Sequence, residues 1–194
     1  MATDRSEGWD AIAGTFVAAR SDIGASLVQT WAREHLPRSS SVVDIGCGSG
    51  VPIARALIDE GFEVFGIDAS PTLLDAFRRR FPGARTACEA AQDSRFFGQT
   101  FAGALAIGLL FLLGADDQRE IIHRVANALK PQGRFLFNAP AQACEWRDLQ
   151  TGRLSRSLGK EAYERHLETS GLRLVDCYHD EGGNHYFDAV KPAV

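Results

Sequence analysis

The chain has 194 residues, of which 45% are hydrophobic and 24% charged, and its formal net charge is −4. This length suits one globular domain, and an acidic chain argues against nucleic acid or an anionic membrane surface as the main partner. No CxxC pair or Cys/His metal spacing occurs among the four cysteines, which are Cys47, Cys88, Cys144 and Cys177. The sequence therefore predicts no metal site and no disulfide framework, and reduced thiols favour a cytoplasmic protein.

The polar first residues do not resemble a secretory signal, and the longest apolar stretch, 101–115, is too short to span a bilayer. Helical spacing of apolar residues predicts one long helix over residues 9–36. After it, short apolar strands alternate with amphipathic helices. Strands are predicted at 42–45, 63–67, 84–88, 103–107, 134–138, 173–178 and 186–191. Helices are predicted at 51–60, 70–80, 117–129 and 160–170, with a polar loop between 138 and 160.

Alternation of strands and helices implies a parallel sheet that helices cover on both faces. The last two predicted strands are joined by a turn at 180–183, so they pair antiparallel. The predicted fold class is therefore α/β, a doubly wound, seven-stranded, mostly parallel sheet with an antiparallel last strand. Such sheets bind ligands at the carboxyl ends of their strands, which directs attention to the loops there.

The strongest motif is VVDIGCGSG, residues 42–50, in which three glycines alternate between a strand and a helix. Glycine allows a sharp turn and lets a ligand approach the backbone closely. Dinucleotide folds need their third glycine one place later, where Val51 stands. Asp44, two residues before the first glycine, disfavours a pyrophosphate and suits a ligand that carries an ammonium group.

A second acidic residue, Asp68, ends the next strand in the segment GIDAS, 22 residues after Gly46. A carboxylate there can accept two hydrogen bonds from a ribose diol. A nucleoside with an ammonium group and no phosphate describes S-adenosylmethionine. Asp44, Asp68 and the glycine loop together therefore predict that cofactor.

These motifs resemble the first two motifs of the class I, Rossmann-like S-adenosylmethionine-dependent methyltransferases. The similarity continues through Cys88-Glu89-Ala90, through Gly108-Leu109-Leu110 after the fourth strand and through the turn LKPQG before the fifth, and it covers about residues 40–138. Two positions depart from the usual family pattern. Gln132 stands where a glycine is common and Ala102 where an aspartate is common, and both positions shape turns.

The resemblance implies a role for each residue of the cofactor site. The backbone of Gly46, Cys47 and Gly48 would line the methionine part, and Asp44 would help to hold its amino group. Asp68 would bind the ribose hydroxyls and Ala69 would lie beside the adenine. The resemblance also places Gly108 in the cofactor site.

The position of the acidic residue after the third strand stays open. Glu89 matches it, with Ala90 supplying a backbone N–H to the adenine, whereas counting back from Phe101 selects Ala90 instead. Arg20 is either a ligand of the methionine carboxylate or a surface residue.

Candidates for the acceptor side are weaker. Trp146 either packs locally or faces a ligand. Leu109, which follows the fourth strand, is a second candidate, and Tyr186 is a third, although it is more typical of a core residue than of a substrate contact. His185 could act as a general base, or it could be a structural hydrogen-bonding residue.

The resemblance implies one methyltransferase domain with three regions. Residues 1–37 would form a helical lid, 40–138 the cofactor-binding core, and 139–194 an acceptor loop, a helix and the terminal hairpin. The predicted activity is methyl transfer to a small molecule, with an oxygen or carboxylate acceptor favoured, and no metal, nucleic acid or membrane partner is expected. Two alternatives remain, a regulatory module that binds the cofactor without transferring its methyl group and an NAD(P)-dependent oxidoreductase. The oligomeric state does not follow from the sequence.

Overall fold

The computed structural model describes residues 4–19 and 21–193, and within these ranges it has six α-helices and nine strands. The helices are α1 Ala13–Ala19, α2 Ala25–His35, α3 Ile53–Asp59, α4 Pro71–Arg80, α5 Ala115–Ala128 and α6 Lys160–Thr169. The strands are β1 Ser41–Ile45, β2 Glu63–Asp68, β3 Arg85–Cys88, β4 Phe101–Ala106, β5 Leu129–Asn138, β6 Cys144–Arg147, β7 Leu154–Ser157, β8 Arg173–His179 and β9 His185–Val190. None of the helices in these ranges is long and apolar enough to cross a membrane.

Seven strands form one sheet in the order β3-β2-β1-β4-β5-β9-β8, which confirms the predicted fold class. β1 pairs parallel with both β2 and β4, while β9 is antiparallel to β5 and to β8. The last strand therefore lies inside the sheet, between β5 and β8. The order of strands reverses between β1 and β4, so the loops at their carboxyl ends border a crevice.

The two faces of the sheet bury separate apolar clusters because successive side chains of a strand point to opposite faces. Val43 and Ile45 of β1 pack in the cluster that includes residues of α5 and α6. Val42 packs in the other cluster, with residues of α2, α3 and α4. Both faces are covered, and this is why the central strands are mainly apolar.

The prediction of one helix over residues 9–36 is wrong. The structure has two helices, and α2 begins after Gly24, whose φ of 84° lies in the left-handed region. A right-handed helix cannot continue through that conformation. A side chain at this position would also collide with the hydroxyl of Tyr186, so glycine is required there.

The prediction of a loop between 138 and 160 is incomplete, because β6 and β7 pair antiparallel as a separate two-stranded sheet. Both strands have only four residues, and most of their side chains are at least partly exposed. The connecting turn is held by Asp148, whose Oδ1 accepts hydrogen bonds from the N–H groups of Gln150 (3.0 Å) and Thr151 (2.7 Å).

Candidate functional site

The glycine loop after β1 has a separate structural reason for each glycine. Gly46, Gly48 and Gly50 have φ values of 72°, 53° and 80°, all in the left-handed region. Gly46 and Gly48 line a cleft of about 280 Å³. Gly50 instead packs beneath α4, where a Cβ atom would lie 2.6 Å from the ring of Phe77. The third glycine thus serves packing, while the first two give a ligand access to the backbone.

The cleft lies at the carboxyl ends of the central strands, as the reversal of strand order requires. The loops after β1, β2, β3 and β4 form one side of it, and the N-terminal segment and the turn between β6 and β7 form the other. The charged side chains that line it are Arg5, Glu7, Asp68, Glu89 and Asp148. Four of these five are acidic, so the cleft attracts cationic ligands.

Asp68 is the acidic residue most tightly held within the cleft. Its Oδ2 accepts a hydrogen bond from the N–H of Gly48 (2.7 Å) and its Oδ1 accepts one from the N–H of Ser70 (2.8 Å). Burial raises the pKa of the Asp68 carboxyl, and the bonds from Ser70 and Gly48 oppose that rise. Each carboxylate oxygen keeps a further lone pair that can accept a hydroxyl group.

Asp44 lies behind the loop. It is 3% exposed, stands in register with Gly66 of β2 and Leu105 of β4, and is absent from the residues that line the cleft. Cys47 does line the cleft. Burial, followed by the charges of Asp44 and Asp68, raises the pKa of its thiol well above the ordinary value, so this thiol stays protonated and is a poor nucleophile.

The structure brings the predicted adenine-side residues into the cleft. Ala69, Glu89 and Ala90 all line it. The N–H of Glu89 donates to the carbonyl of Asp68 (3.0 Å), which fixes the loop after β3 against the end of β2. The Glu89 side chain is half-buried, so it can reach a ligand in the cleft.

The loop after β4 contributes Gly108 and Leu109, and both line the cleft. The N–H of Gly108 donates to Oδ1 of Asn138 at the end of β5, 2.6 Å away. Leu109 packs against the glycine loop, since a Cβ atom on Gly46 would lie 3.1 Å from it. This wall of the cleft is mainly apolar.

A segment of the N-terminal region, residues 4–12, lies across the cleft, and we call it the cover segment. Trp9 lines the cleft and packs edge to face on Phe16 of α1, with the ring centres 5.0 Å apart. Phe16 faces the glycine loop, because a Cβ atom on Gly48 would lie 3.6 Å from its ring. Arg20, predicted as a possible carboxylate ligand, lies outside the described residues.

The remaining predicted residues are not brought to the cleft. Trp146 is half-buried and packs on Phe111, with ring centres 5.5 Å apart, and only Phe111 lines the cleft. Tyr186 is 1% exposed, and its hydroxyl donates to Asp180. Nδ1 of His185 lies 3.1 Å from Nε2 of His179, and the His185 ring packs edge to face on Phe187.

Sequence reasoning missed the residues that close the cleft from the other side. These are Arg5, Glu7 and Trp9 of the cover segment, and Asp148 and Gln150 of the hairpin turn. Phe111, in the loop after β4, lines the first side of the cleft and was not predicted as a site residue either. An aromatic residue in a polar N-terminal segment was the available signal for Trp9. Nothing local in the sequence pointed to Asp148, because its position depends on the folding of β6 and β7.

Within the described ranges, no three His, Cys, Asp or Glu side chains lie close enough to hold a metal ion.

Comparisons of the sequence with known proteins all give methyltransferases. Residues 42–133 match the sequence model of a family described as a methyltransferase domain. The chain is 31% identical over 165 residues to a trans-aconitate 2-methyltransferase of Variovorax paradoxus, and this alignment covers 84% of the chain and 60% of the relative. The chain spans about half the length of the curated relatives it matches.

Among solved structures, the CcbJ methyltransferase of Streptomyces caelestis has a TM-score of 0.80 at 17% identity, over 98% of this chain and 100% of that one. The 1,6-didemethyltoxoflavin-N1-methyltransferase of Burkholderia thailandensis, solved with S-adenosylhomocysteine bound, has a TM-score of 0.75 at 18% identity, over 99% of this chain and 92% of that one. At these identities the likeness shows a shared fold.

Proposed function

Residues 42–133 match a methyltransferase domain, and on that premise we propose that this chain is a class I S-adenosylmethionine-dependent methyltransferase that binds its cofactor in the cleft and methylates a small molecule. One observation carries the proposal. The N–H of Gly48, which a dinucleotide fold would offer to a pyrophosphate, donates here to the carboxylate of Asp68. The N–H of Gly48 is therefore already bonded to a carboxylate and is not free to bind a phosphate.

The charge of the cleft supports the same cofactor. Its only basic lining side chain within the described ranges is Arg5, and that guanidinium pairs with Asp93. A phosphate would meet repulsion from the acidic lining, whereas a sulfonium and an ammonium group would be attracted. This argues against the alternative of an NAD(P)-dependent oxidoreductase.

We assign the cofactor-binding roles as the family resemblance implies them. Asp68 would accept the ribose hydroxyls, and the backbone of residues 46–48 would line the methionine part. Ala69, Glu89 and Ala90 would surround the adenine. Because Asp44 lies behind the loop, its charge would act on the amino group through the loop or through a water molecule.

The sulfonium group of the cofactor supplies an activated methyl group for direct displacement. The chain therefore has to align the acceptor with the methyl group and exclude water. Trp9, Phe16, Leu109 and Phe111 provide apolar walls for that purpose. Water exclusion also protects the sulfonium group from hydrolysis while the acceptor is in place.

We further propose an oxygen acceptor, and a carboxylate in particular, which would lie against the apolar wall formed by Leu109 and Phe111 and beside the cationic sulfonium group, away from the acidic lining. A carboxylate needs no general base, and His185, the only base predicted from the sequence, lies away from the cleft. The loop after β4 reads Gly108-Leu109-Leu110-Phe111, so it offers no amide or hydroxyl side chain that could orient an amine. The similarity to a trans-aconitate 2-methyltransferase favours the same class of acceptor.

The size and charge of the site support a small molecule over a macromolecule. The cleft has a volume of about 280 Å³, which suits a small ligand, and its acidic lining disfavours the phosphates of nucleic acids. All four cysteines are free thiols, and this supports the expectation of a reducing cytoplasm.

Calorimetric titration with S-adenosylmethionine, S-adenosylhomocysteine and NADH tests the cofactor. We expect binding of the first two and none of NADH. Tight binding of NADH in place of the sulfonium compound would refute the proposal.

A labelled-methyl assay over small carboxylic acids, with phenols and primary amines of similar size as comparators, tests the acceptor. Turnover confined to the amines would contradict the carboxylate assignment. Cofactor binding without turnover of any acceptor would favour the alternative of a binding module without transferase activity.

A further inference from the structure

Within the described residues, side chains of the cover segment, residues 4–12, form hydrogen bonds or ion pairs with the rest of the protein at three places. Two attachments are ion pairs, Arg5 with Asp93 and Glu7 with Arg153. All four of these side chains are at least 40% exposed, and exposed ion pairs contribute little to stability. The third attachment is made by Asp10, which contacts the beginning of α4. The geometry of this contact makes it the main docking point.

Asp10 completes the capping of α4 from a distant part of the chain. Its Oδ1 accepts hydrogen bonds from the hydroxyl of Ser70 (2.6 Å) and from the N–H of Thr72 (3.0 Å). Ser70 is the N-cap residue, and its Oγ accepts from the N–H of Leu73 (3.1 Å). The first turn of a helix has unsatisfied N–H groups that attract a carboxylate, so Asp10 docks at a favourable position.

The same N-cap residue holds the candidate ribose ligand. Ser70 is fully buried, and its N–H donates to Oδ1 of Asp68 while its hydroxyl donates to Asp10. Oδ2 of Asp68 accepts from the N–H of Gly48. An unbroken series of contacts therefore runs from the cover segment through Ser70 and Asp68 to the glycine loop.

We propose that Asp10 is a positioning residue that couples docking of the cover segment to cofactor binding through Ser70 and Asp68, an inference that rests on the proposed function. Docked Asp10 fixes Ser70, and Ser70 fixes the carboxylate of Asp68 toward the cleft. A ribose held by Asp68 stabilises the same arrangement in return, because coupling between two sites is reciprocal. Trp9 precedes Asp10 in the chain, so docking also places an aromatic wall over the cofactor.

The titration of Asp10 agrees with this role. The bond from the Ser70 hydroxyl, followed by the bond from the Thr72 N–H, lowers the pKa of the Asp10 carboxyl below its ordinary value. Asp10 is therefore ionised at neutral pH and remains a strong acceptor for both donors.

Hydrogen exchange of the wild-type protein is the first test. We expect a saturating concentration of S-adenosylhomocysteine to slow the exchange of amides in residues 4–12 about tenfold, an effect of the size that coupling between two sites commonly has. Exchange in this segment that is the same with and without bound S-adenosylhomocysteine would overturn the inference. Failure of the wild-type protein to bind the compound at all would overturn the proposed function and this inference with it.

Variants of Asp10 are the second test. We expect Asp10→Ala to weaken the binding of S-adenosylhomocysteine about tenfold and to abolish the protection of the cover segment. Asp10→Asn keeps an oxygen that can accept both bonds, so it should retain most of the affinity. Asp75→Ala, which removes an exposed carboxylate of the same helix, is the matched control and should bind as the wild type does. Wild-type affinity in a folded Asp10→Ala variant would overturn the coupling.

A double-mutant cycle separates positioning from general destabilisation. If Asp10 acts through Asp68, then Asp10→Ala should have almost no further effect on binding in an Asp68→Ala background, which lacks both carboxylate oxygens. Independent, additive losses in the two variants would contradict the proposed route while leaving the cofactor assignment intact. The exchange measurement on the wild type needs no variant and decides the matter if a variant does not fold.

Discussion

Replacement of Asp68 by alanine gives a direct test of the cofactor site. The carboxylate of Asp68 accepts one N–H on each oxygen, at 2.7 and 2.8 Å, and retains one acceptor position per oxygen for the ribose diol. A hydrogen bond to a charged group contributes about 1.5–3 kcal/mol, and competition from water in an open cleft reduces this value. We therefore expect Asp68→Ala to weaken cofactor binding by about 1–3 kcal/mol, which corresponds to about 5- to 150-fold in the dissociation constant.

The same change also affects the unliganded protein, and the two effects have to be measured separately. Without the carboxylate, the N–H groups of Gly48 and Ser70 lose their acceptors, at a cost of about 1–3 kcal/mol in the free energy of unfolding. Urea denaturation without ligand measures that cost. Calorimetric titration with S-adenosylhomocysteine, well below the unfolding temperature, measures the binding. Asp68→Asn keeps one carbonyl oxygen, so both losses should be smaller.

A ligand that lacks the 2′-hydroxyl group makes the test specific for the ribose. Wild-type protein should bind the 2′-deoxy analogue of S-adenosylhomocysteine more weakly than the parent compound, whereas Asp68→Ala should bind the two almost equally. Unchanged affinity of the folded alanine variant for the parent compound, or an equal penalty for the deoxy analogue in both proteins, would refute the ribose assignment.

Three further predictions concern stability. Gly50→Ala should lower the free energy of unfolding by about 2–4 kcal/mol in urea denaturation, because the new side chain would both strain a left-handed backbone and clash with the ring of Phe77. Gly61→Ala is the control, because Gly61 has a similar φ but no neighbouring atoms that a side chain would meet. A similar loss in this control would argue against the clash. Gln132→Gly should raise stability by about 0.5 kcal/mol and increase the melting temperature, because Gln132 has a φ of 64°; a lower melting temperature would contradict this. Burial, followed by a nearby histidine and lysine, lowers the pKa of His185 below 6.5, so the unfolded chain takes up this proton first and stability falls as the pH drops below about 6.5. Between about pH 7.5 and 5, His185→Gln should therefore lose less stability than the wild type, and equal losses would refute the assignment.

The cofactor side of the cleft could be predicted from the sequence because each of its features is local. A glycine requirement, an acidic residue at the end of a strand and a helix cap all depend on a few adjacent residues. This is why Gly46, Gly48, Asp68 and Ala69, which line the cleft, could be selected from the sequence. The stretch that contains them, residues 42–133, is also the one that matches a methyltransferase domain. The substitution at Gln132 was also visible, and the structure shows its physical consequence, a non-glycine residue in a left-handed conformation.

Features that depend on distant contacts were not accessible in the same way. The helical pattern over residues 9–36 was real, but a single glycine packed against Tyr186 divides it. Asp188 is fully buried in β9, and its pairing with Arg134 of β5, 54 positions earlier, together with a hydrogen bond from the Tyr178 hydroxyl, makes a charge acceptable there. Likewise, His185 looked available for catalysis until the pairing of β8 and β9 placed it beside His179.

The sequence by itself determined the alternation of strands and helices from β1 to β5 and the covering of the sheet on both faces. It also determined which glycines and acidic residues stand at the carboxyl ends of the strands, where the cleft lies. Periodicity and turn chemistry act over a few residues, so they can be read from the chain alone. Only the tertiary structure decided which residues close the cleft. The cover segment contacts the start of α4 through Asp10 and Ser70, which are 60 positions apart. The β6–β7 turn contacts the cover segment through Arg153 and Glu7, which are 146 positions apart. Contacts of that range arise from the packing of the whole chain, and no local pattern encodes them.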